Sequence, residues 1–207
     1  SGGPFRKLDK NKLHNVTKEE ALKHPNWNMG NKITIDSATM MNKGFEVIET
    51  HWLFGIESKK IDIIVHPQSI IHSMVEFKDK SIKAQIGIPD MKIPINYALN
   101  YPKHSSLDIP SLDFSDISEL TFEKPDLIKF KCIDLAYQAL EHGGTSTAIL
   151  NIANDIAVNL FLCKKIKFID IPLIIEKTIE KHEHISSPTL DDIYNLMDWT
   201  NEYITKE

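Results

Sequence analysis

Between residues 128 and 207 the apolar residues fall at helical spacing in four successive runs, each bounded by a start or stop signal. The first runs from Cys132 to His142 and closes at Gly143-Gly144. The second opens at Thr145 or Ser146 and carries Ile149, Ile152, Ile156 and Leu160 on one face. Asp170, with Pro172 in the first turn, opens a third through Leu173 to His182. Pro188-Thr189, with Asp192 as the acid three residues on, opens a fourth carrying Ile193, Leu196, Met197 and Tyr203. Amphipathic helices joined by short loops bury their stripes by packing antiparallel, so residues 128–207 are expected to form a helical bundle.

Upstream the pattern is mixed. Thr17-Lys18-Glu19-Glu20 is a capping box, and the helix it opens should end at Pro25. Lys32 to Asp36 alternates around Ile33 and Ile35 and reads as a strand. Ser37-Ala38-Thr39 then starts a helix to about Phe54, with Met41, Phe45, Ile48 and Trp52 as its buried stripe and Gly55 as its C-cap. Three more strands are expected at Ile61 to Val65, Ile71 to Phe77 and Ser81 to Ile86, the last two joined at Asp79-Lys80. The expected fold class is therefore α+β: a mixed four-stranded sheet with helices on one face, a linker, and a C-terminal helical bundle. The divisions are 1–101 for a catalytic domain, 102–127 for the linker, rich in Pro, Ser and Asp, and 128–207 for the bundle. No internal repeat is evident.

Composition narrows the function classes. The chain has 207 residues, a formal net charge of −5, 42% hydrophobic and 26% charged residues, a soluble globular balance. No apolar run approaches the roughly 18–20 residues of a membrane span. Mild acidity argues against duplex nucleic acid, so an anionic ligand would need a local cluster of donors. Cys132 and Cys163 are isolated, which argues for a reducing compartment and against a disulfide framework or a Cys-based zinc site. Arg6 is the only arginine among many lysines, as expected of an AT-rich genome. The start, Ser1-Gly2-Gly3-Pro4-Phe5, has no initiator Met, signal or transit segment and reads like the middle of a longer chain.

The densest polar cluster lies between His24 and Glu46. Ser37 is placed where a strand gives way to a helix, whose free N–H groups suit a phosphate. Asn42 and Glu46 are four apart and share a face, with Lys43 beside them. The bland alternative is an exposed Lys43–Glu46 ion pair. Gly44 costs a helix roughly 1 kcal/mol against Ala, which suggests a close approach there. Ser1-Gly2-Gly3 is a weak candidate anion nest, with a flexible turn as the alternative. His24 to Gly30, containing Trp27, resembles a lid loop, or else a surface loop whose Trp27 simply packs. His66 and His72 match no metal spacing and read as structural, and His182 and His184 as helix-end residues.

Several exact strings go further. Ser1-Gly2-Gly3-Pro4-Phe5-Arg6, His24-Pro25-Asn26-Trp27, Asp36-Ser37-Ala38-Thr39-Met40-Met41-Asn42-Lys43-Gly44 and His66-Pro67-Gln68-Ser69-Ile70-Ile71-His72-Ser73-Met74-Val75 resemble the 1-deoxy-D-xylulose 5-phosphate reductoisomerase family. So do Pro89-Asp90-Met91 and Leu150-Asn151-Ile152-Ala153-Asn154-Asp155-Ile156-Ala157-Val158, in the same order along the whole chain. The resemblance implies NADPH-dependent isomerisation and reduction of 1-deoxy-D-xylulose 5-phosphate to 2-C-methyl-D-erythritol 4-phosphate, in the non-mevalonate route to isoprenoid precursors, with Mg²⁺ or Mn²⁺.

It further implies that Ser1, Ser37, Asn42 and Lys43 hold the substrate phosphate, that His24 and Trp27 cover the substrate, and that Met29, Gly30 and Met91 approach the NADPH. His24, Lys43 and Glu46 would be catalytic, with Glu46 contacting substrate and serving as a metal ligand. The family's dinucleotide-binding domain and its other acidic ligands would lie upstream of Ser1, so the 207 residues alone are expected to be inactive. A homodimer is expected, located in a plastid by the lysine, asparagine and isoleucine bias, or otherwise in a bacterial cytoplasm. Two other readings stand beside it: a phosphosugar-binding fragment or helical binding module without activity, and an NADPH-independent phosphosugar enzyme using Lys43.

Overall fold

In a computed structural model that describes residues 3–24 and 29–206, the Thr17 box opens a short helix as expected. The hydroxyl of Thr17 accepts from the Glu20 N–H at 3.2 Å and the Glu20 carboxylate from the Thr17 N–H at 2.8 Å, capping α1 (Lys18–Ala21).

The next segment departs from expectation. Residues Lys32 to Asp36 are helical, inside α2 (Asn31–Thr39), and not a strand. Two isoleucines two apart mimic a strand, but in the helix they part, Ile35 buried and Ile33 exposed. The burial of Thr34, Ile35, Ala38 and Thr39 as one face reveals the helical period. Gly30 caps α2, its carbonyl accepting from both the Thr34 N–H (3.1 Å) and the Thr34 hydroxyl (2.8 Å). Ser37 consequently sits in the last turn of a helix, not at a helix start. Met40 takes a left-handed backbone, φ 61°, which ends α2 and begins α3 (Met41–Phe54) in another direction.

The buried residues of α3 are Met41, Gly44 and Val47, with Phe45 and Ile48 half-buried. Trp52, expected in the stripe, is 70% exposed, and Leu53 and Phe54 are exposed beside it, so the last turn of α3 runs past the residues that cover Met41, Gly44 and Val47. Gly55 is the expected C-cap, φ 64°, its N–H donating to the His51 carbonyl. Gly44 is required by packing: a Cβ there would lie 2.6 Å from the Cβ of Ala136.

The described residues divide into two compact units, 1–63 with 124–207, and 64–123. The second holds β1 (Ile71–Glu76) and β2 (Ile82–Ile86), an antiparallel pair, followed by α4 (Lys92–Asn100). Among the described residues this is the whole sheet, so the four-stranded sheet is corrected to two strands. Ile61 to Val65 contributes only an isolated bridge from Val65 to Glu123, its stretch being led into by a 3-10 turn at Ser58–Lys60. Helix α4 was not anticipated, since Pro94 within a short run hides its period, yet proline is tolerated in a first turn.

The first unit contains the four expected C-terminal helices: α5 (Lys131–His142), α6 (Ser146–Leu162), α7 (Asp170–Lys181) and α8 (Leu190–Lys206). Helix α6 is central, packing on α2, α5, α7 and α8. Its deepest face is Ile149, Leu150, Ala153, Asn154, Ala157, Val158 and Phe161, one position round from the expected Ile152 and Ile156, which are half-buried. The core joins both ends of the sequence, with Ile35, Ala38 and Met41 meeting Cys132, Ala136, Leu150 and Ala153 in one cluster. No helix of the described residues is long and apolar enough to cross a membrane.

Candidate functional site

Helices α2 and α3 carry the polar residues singled out in the sequence, and the bend at Met40 turns two stretches of one short segment into two walls. On α3, Asn42 and Glu46 meet as their i, i+4 spacing requires: the Asn42 amide donates to Glu46 Oε1 at 2.8 Å. The Lys43 ammonium is ion-paired to Glu46 Oε2. Amide, ammonium and carboxylate thus form one half-exposed cluster. The Glu46 side chain is 45% exposed, so water or a ligand can compete for every member of it.

At the end of α2 the Ser37 hydroxyl lies 3.1 Å from His24 Nε2. Burial lowers the His24 pKa from its ordinary value, so the ring is neutral at pH 7 and can take either hydrogen-bonding role toward the hydroxyl. Gly3 lies against the same turn: at φ 54°, a Cβ on it would sit 2.6 Å from the Ser37 carbonyl oxygen. The N-terminal string and the Asp36 to Gly44 string, distant by pattern, therefore touch at Ser37.

Of the remaining candidates, Met29 is half-buried, Gly30 caps α2 with open space where a Cβ would be, and Met91 is exposed at the head of α4 in the other unit. Ser1 and Trp27 lie outside the described residues. Among the described residues no group of three or more His, Cys, Asp or Glu side chains is arranged to hold a metal. Glu46 offers one hard oxygen donor group, which alone does not make a divalent-cation site. His66 is structural: it is buried, its Nδ1–H donates to the Thr121 carbonyl at 2.8 Å, and it stacks on Phe122. His182 joins the Thr145 hydroxyl at 3.2 Å at the head of α6.

Beneath the site runs a network that the sequence reading did not assign. Asp36 is almost fully buried; its Oδ1 accepts from the Asn154 amide at 2.9 Å and its Oδ2 pairs with the Lys32 ammonium at 2.7 Å. Lys32 also reaches Asp155 at 2.9 Å and lies over the Phe45 ring. Burial raises the Asp36 pKa, against the opposing pull of Asn154 and Lys32. Burial presses on Lys32 as well, but its two carboxylate partners outweigh it and raise the ammonium's pKa. One signal did exist: Asn154 is the polar member of an otherwise apolar face of α6, and a polar group on a core face demands a partner.

The family described as DXP reductoisomerase C-terminal domain matches residues 86–203, and that described as 1-deoxy-D-xylulose 5-phosphate reductoisomerase C-terminal domain matches residues 1–54. The reductoisomerase of Thermoanaerobacter pseudethanolicus is 60% identical over 100% of this chain and 54% of its own length. That of Clostridium perfringens strain 13 is 54% identical over 99% and 54%. Among solved structures, the Zymomonas mobilis reductoisomerase in complex with NADPH has a TM-score of 0.89 at 46% identity, covering 97% of this chain and 52% of that one. A DOX-P reductoisomerase with NADPH, fosmidomycin and magnesium has a TM-score of 0.93 at 39% identity, covering 99% and 52%. The chain thus spans about half the length of the relatives it matches. The curated relatives named here are bacterial, and they lend no support to a plastid.

Proposed function

The chain belongs to the 1-deoxy-D-xylulose 5-phosphate reductoisomerase family, and we propose that it forms the phosphate-binding and metal-contacting part of an enzyme that converts 1-deoxy-D-xylulose 5-phosphate to 2-C-methyl-D-erythritol 4-phosphate with NADPH. The observation that carries this reading is the donor set on either side of the Met40 turn: the Ser37 hydroxyl beside His24, and the Asn42 amide and Lys43 ammonium on Glu46. Hydroxyl, amide and ammonium are the donors a phosphate dianion takes in place of water. In this reading phosphate replaces the Glu46 carboxylate as partner of Asn42 and Lys43. The freed Glu46 carboxylate would then be available as one oxygen ligand of Mg²⁺ or Mn²⁺. Bound metal would polarise substrate oxygens as a Lewis acid, and NADPH would supply the hydride.

His24, neutral in its partly buried position, orients the Ser37 hydroxyl and offers a ring nitrogen toward the substrate. Trp27 would cover the substrate, Ser1 would add a hydroxyl to the phosphate, and Met29 and Gly30 would line the approach of the nicotinamide. Since the described residues supply only Glu46 toward a metal, the 207 residues by themselves should not turn over substrate. For assembly we propose a homodimer through the β1–β2 pair, where Val75, Ile82 and Ile86 are exposed apolar side chains on a short antiparallel sheet. The bacterial relatives support a bacterial cytoplasm as location.

The test is NADPH oxidation by a polypeptide of the relatives' full length carrying this chain, with 1-deoxy-D-xylulose 5-phosphate and Mn²⁺. Oxidation should require the sugar phosphate, and Glu46→Gln should lower kcat/KM by about 10²-fold or more. Absence of sugar-dependent oxidation in the unsubstituted polypeptide overturns the proposal.

A further inference from the structure

A buried carboxylate is costly unless it is paired, and Asp36 spends both of its oxygens on partners far from it in sequence or across a helix turn. Its neighbour Ser37 is a proposed phosphate donor, and the same residue controls the bend that follows. The Asp36 carbonyl accepts from the Thr39 hydroxyl at 3.2 Å, and that hydroxyl in turn accepts from the Met41 N–H at 3.3 Å. This clip spans the left-handed Met40, so a shift of α2 is passed to the first turn of α3, which holds Asn42 and Lys43 one turn before Glu46.

The far end of the network is on α6. Asn154 is fully buried, and with its amide given to Asp36 its carbonyl oxygen has no partner among the described residues. A purely structural position on that apolar face would be filled better by leucine, which carries no polar atom to satisfy. The amide's orientation is fixed chemically, because the opposite one would aim a carbonyl at a carboxylate. Lys32 braces the arrangement from the other side, tying Asp36 to Asp155 on α6 and covering Phe45, the residue before Glu46.

From this geometry we infer that Asn154 is a positioning residue of the phosphate site: through its hydrogen bond to Asp36 it sets the place of Ser37 and of the α3 donors. The inference rests on the phosphate-binding reading above. It predicts a loss that falls on substrate binding and not on the amount of folded enzyme, because a displacement of one donor by a fraction of an ångström weakens phosphate contacts while leaving the helices packed.

The experiment uses the full-length polypeptide in three forms: unsubstituted, Asn154→Leu, and the double variant Asp36→Asn with Asn154→Asp, which restores one hydrogen bond with its polarity reversed. Asn154→Leu should raise KM for 1-deoxy-D-xylulose 5-phosphate about tenfold with kcat within about twofold, and the double variant should recover most of that loss. In parallel, the ring-nitrogen NMR signals of His24, which faces the Ser37 hydroxyl, should move in Asn154→Leu and return in the double variant.

Unchanged KM and unmoved His24 signals in Asn154→Leu overturn the inference, as does a raised KM that the double variant leaves uncorrected. A variant that loses only thermal stability and kcat, with KM intact, also overturns it. If the unsubstituted polypeptide does not turn over, the functional reading fails, and the His24 signals alone then decide whether Asn154 sets the Ser37 position.

Discussion

Asp36 and Lys32 form a pair in which the carboxylate is buried and the ammonium is partly exposed. Burial holds Asp36 above its ordinary pKa, against the Asn154 amide and the Lys32 cation, which both favour the ionised form. Removing the cation in Lys32→Met leaves the carboxylate with only the Asn154 amide. The cost should be about 1 kcal/mol at pH 7, the low end of the range for a buried polar group left short of a partner, because the Lys32 side chain is 40% exposed and screened by solvent. The pH dependence has a definite sign. A carboxyl whose folded pKa lies above its unfolded 3.8 binds its proton more tightly when folded, so its unfavourable contribution is absent at low pH and complete above the folded pKa. The deficit of Lys32→Met should therefore be complete above the folded pKa and shrink as the pH is lowered from about 7 toward the unfolded value of 3.8. Urea denaturation of both proteins at the two pH values measures it; a deficit that stays constant or grows on acidification would show that Asp36 is not the group left stranded.

Elements whose signals are local were legible in the sequence. The capping boxes at Thr17 and Thr189, the Gly55 C-cap and the four C-terminal helices all follow from residues within one or two turns of each other. Lys32 to Asp36 was not, because five residues are too few to separate a period of 2 from one of 3.6, and the deciding fact is a partner on α6, 118 residues away. The site divides along the same line. Asn42, Lys43 and Glu46 meet by helix spacing, whereas the contact of His24 with Ser37 depends on the tertiary fold.

The local signals carry their own test. At the head of α8 the Asp192 carboxylate accepts from the Thr189 N–H at 2.8 Å and from its hydroxyl at 2.6 Å, and these bonds, the hydroxyl's foremost, lower its pKa. A depressed carboxylate stabilises the fold above its unfolded pKa of 3.8, and that contribution is lost as the pH falls through the lower folded value. Asp192→Ala should thus melt below the parent at about pH 6 and approach it at about pH 2.5, followed by circular dichroism at 222 nm ~ the helical band. An equal gap at both pH values would mean that packing, not the cap, is what the substitution removed.

At the scale of the whole molecule, one compact unit is made from both ends of the sequence, 1–63 and 124–207. Neither segment can bury its own stripe. Ile35, Ala38 and Met41 are covered by residues of α5 and α6, and Gly44 on α3 is closed by Ala136 at a distance that excludes a Cβ. The connection between them is dispensable for that packing once the core has formed, since the contacts are side chain against side chain and helix against helix. Residues 102–116 are mostly exposed and hold only a short 3-10 turn at Phe114–Asp116, so a protease should cut there first, for example after the exposed Lys103. The two products, 1–103 and 104–207, should then elute together in native size-exclusion chromatography and separate only in denaturant. Helicity should fall little on cutting, because α2, α3, α5 and α6 keep their partners. Separation under native conditions would mean that burial across the two segments is too small to hold them, and that the chain connectivity, not the shared core, keeps the site on α2 and α3 assembled against α6.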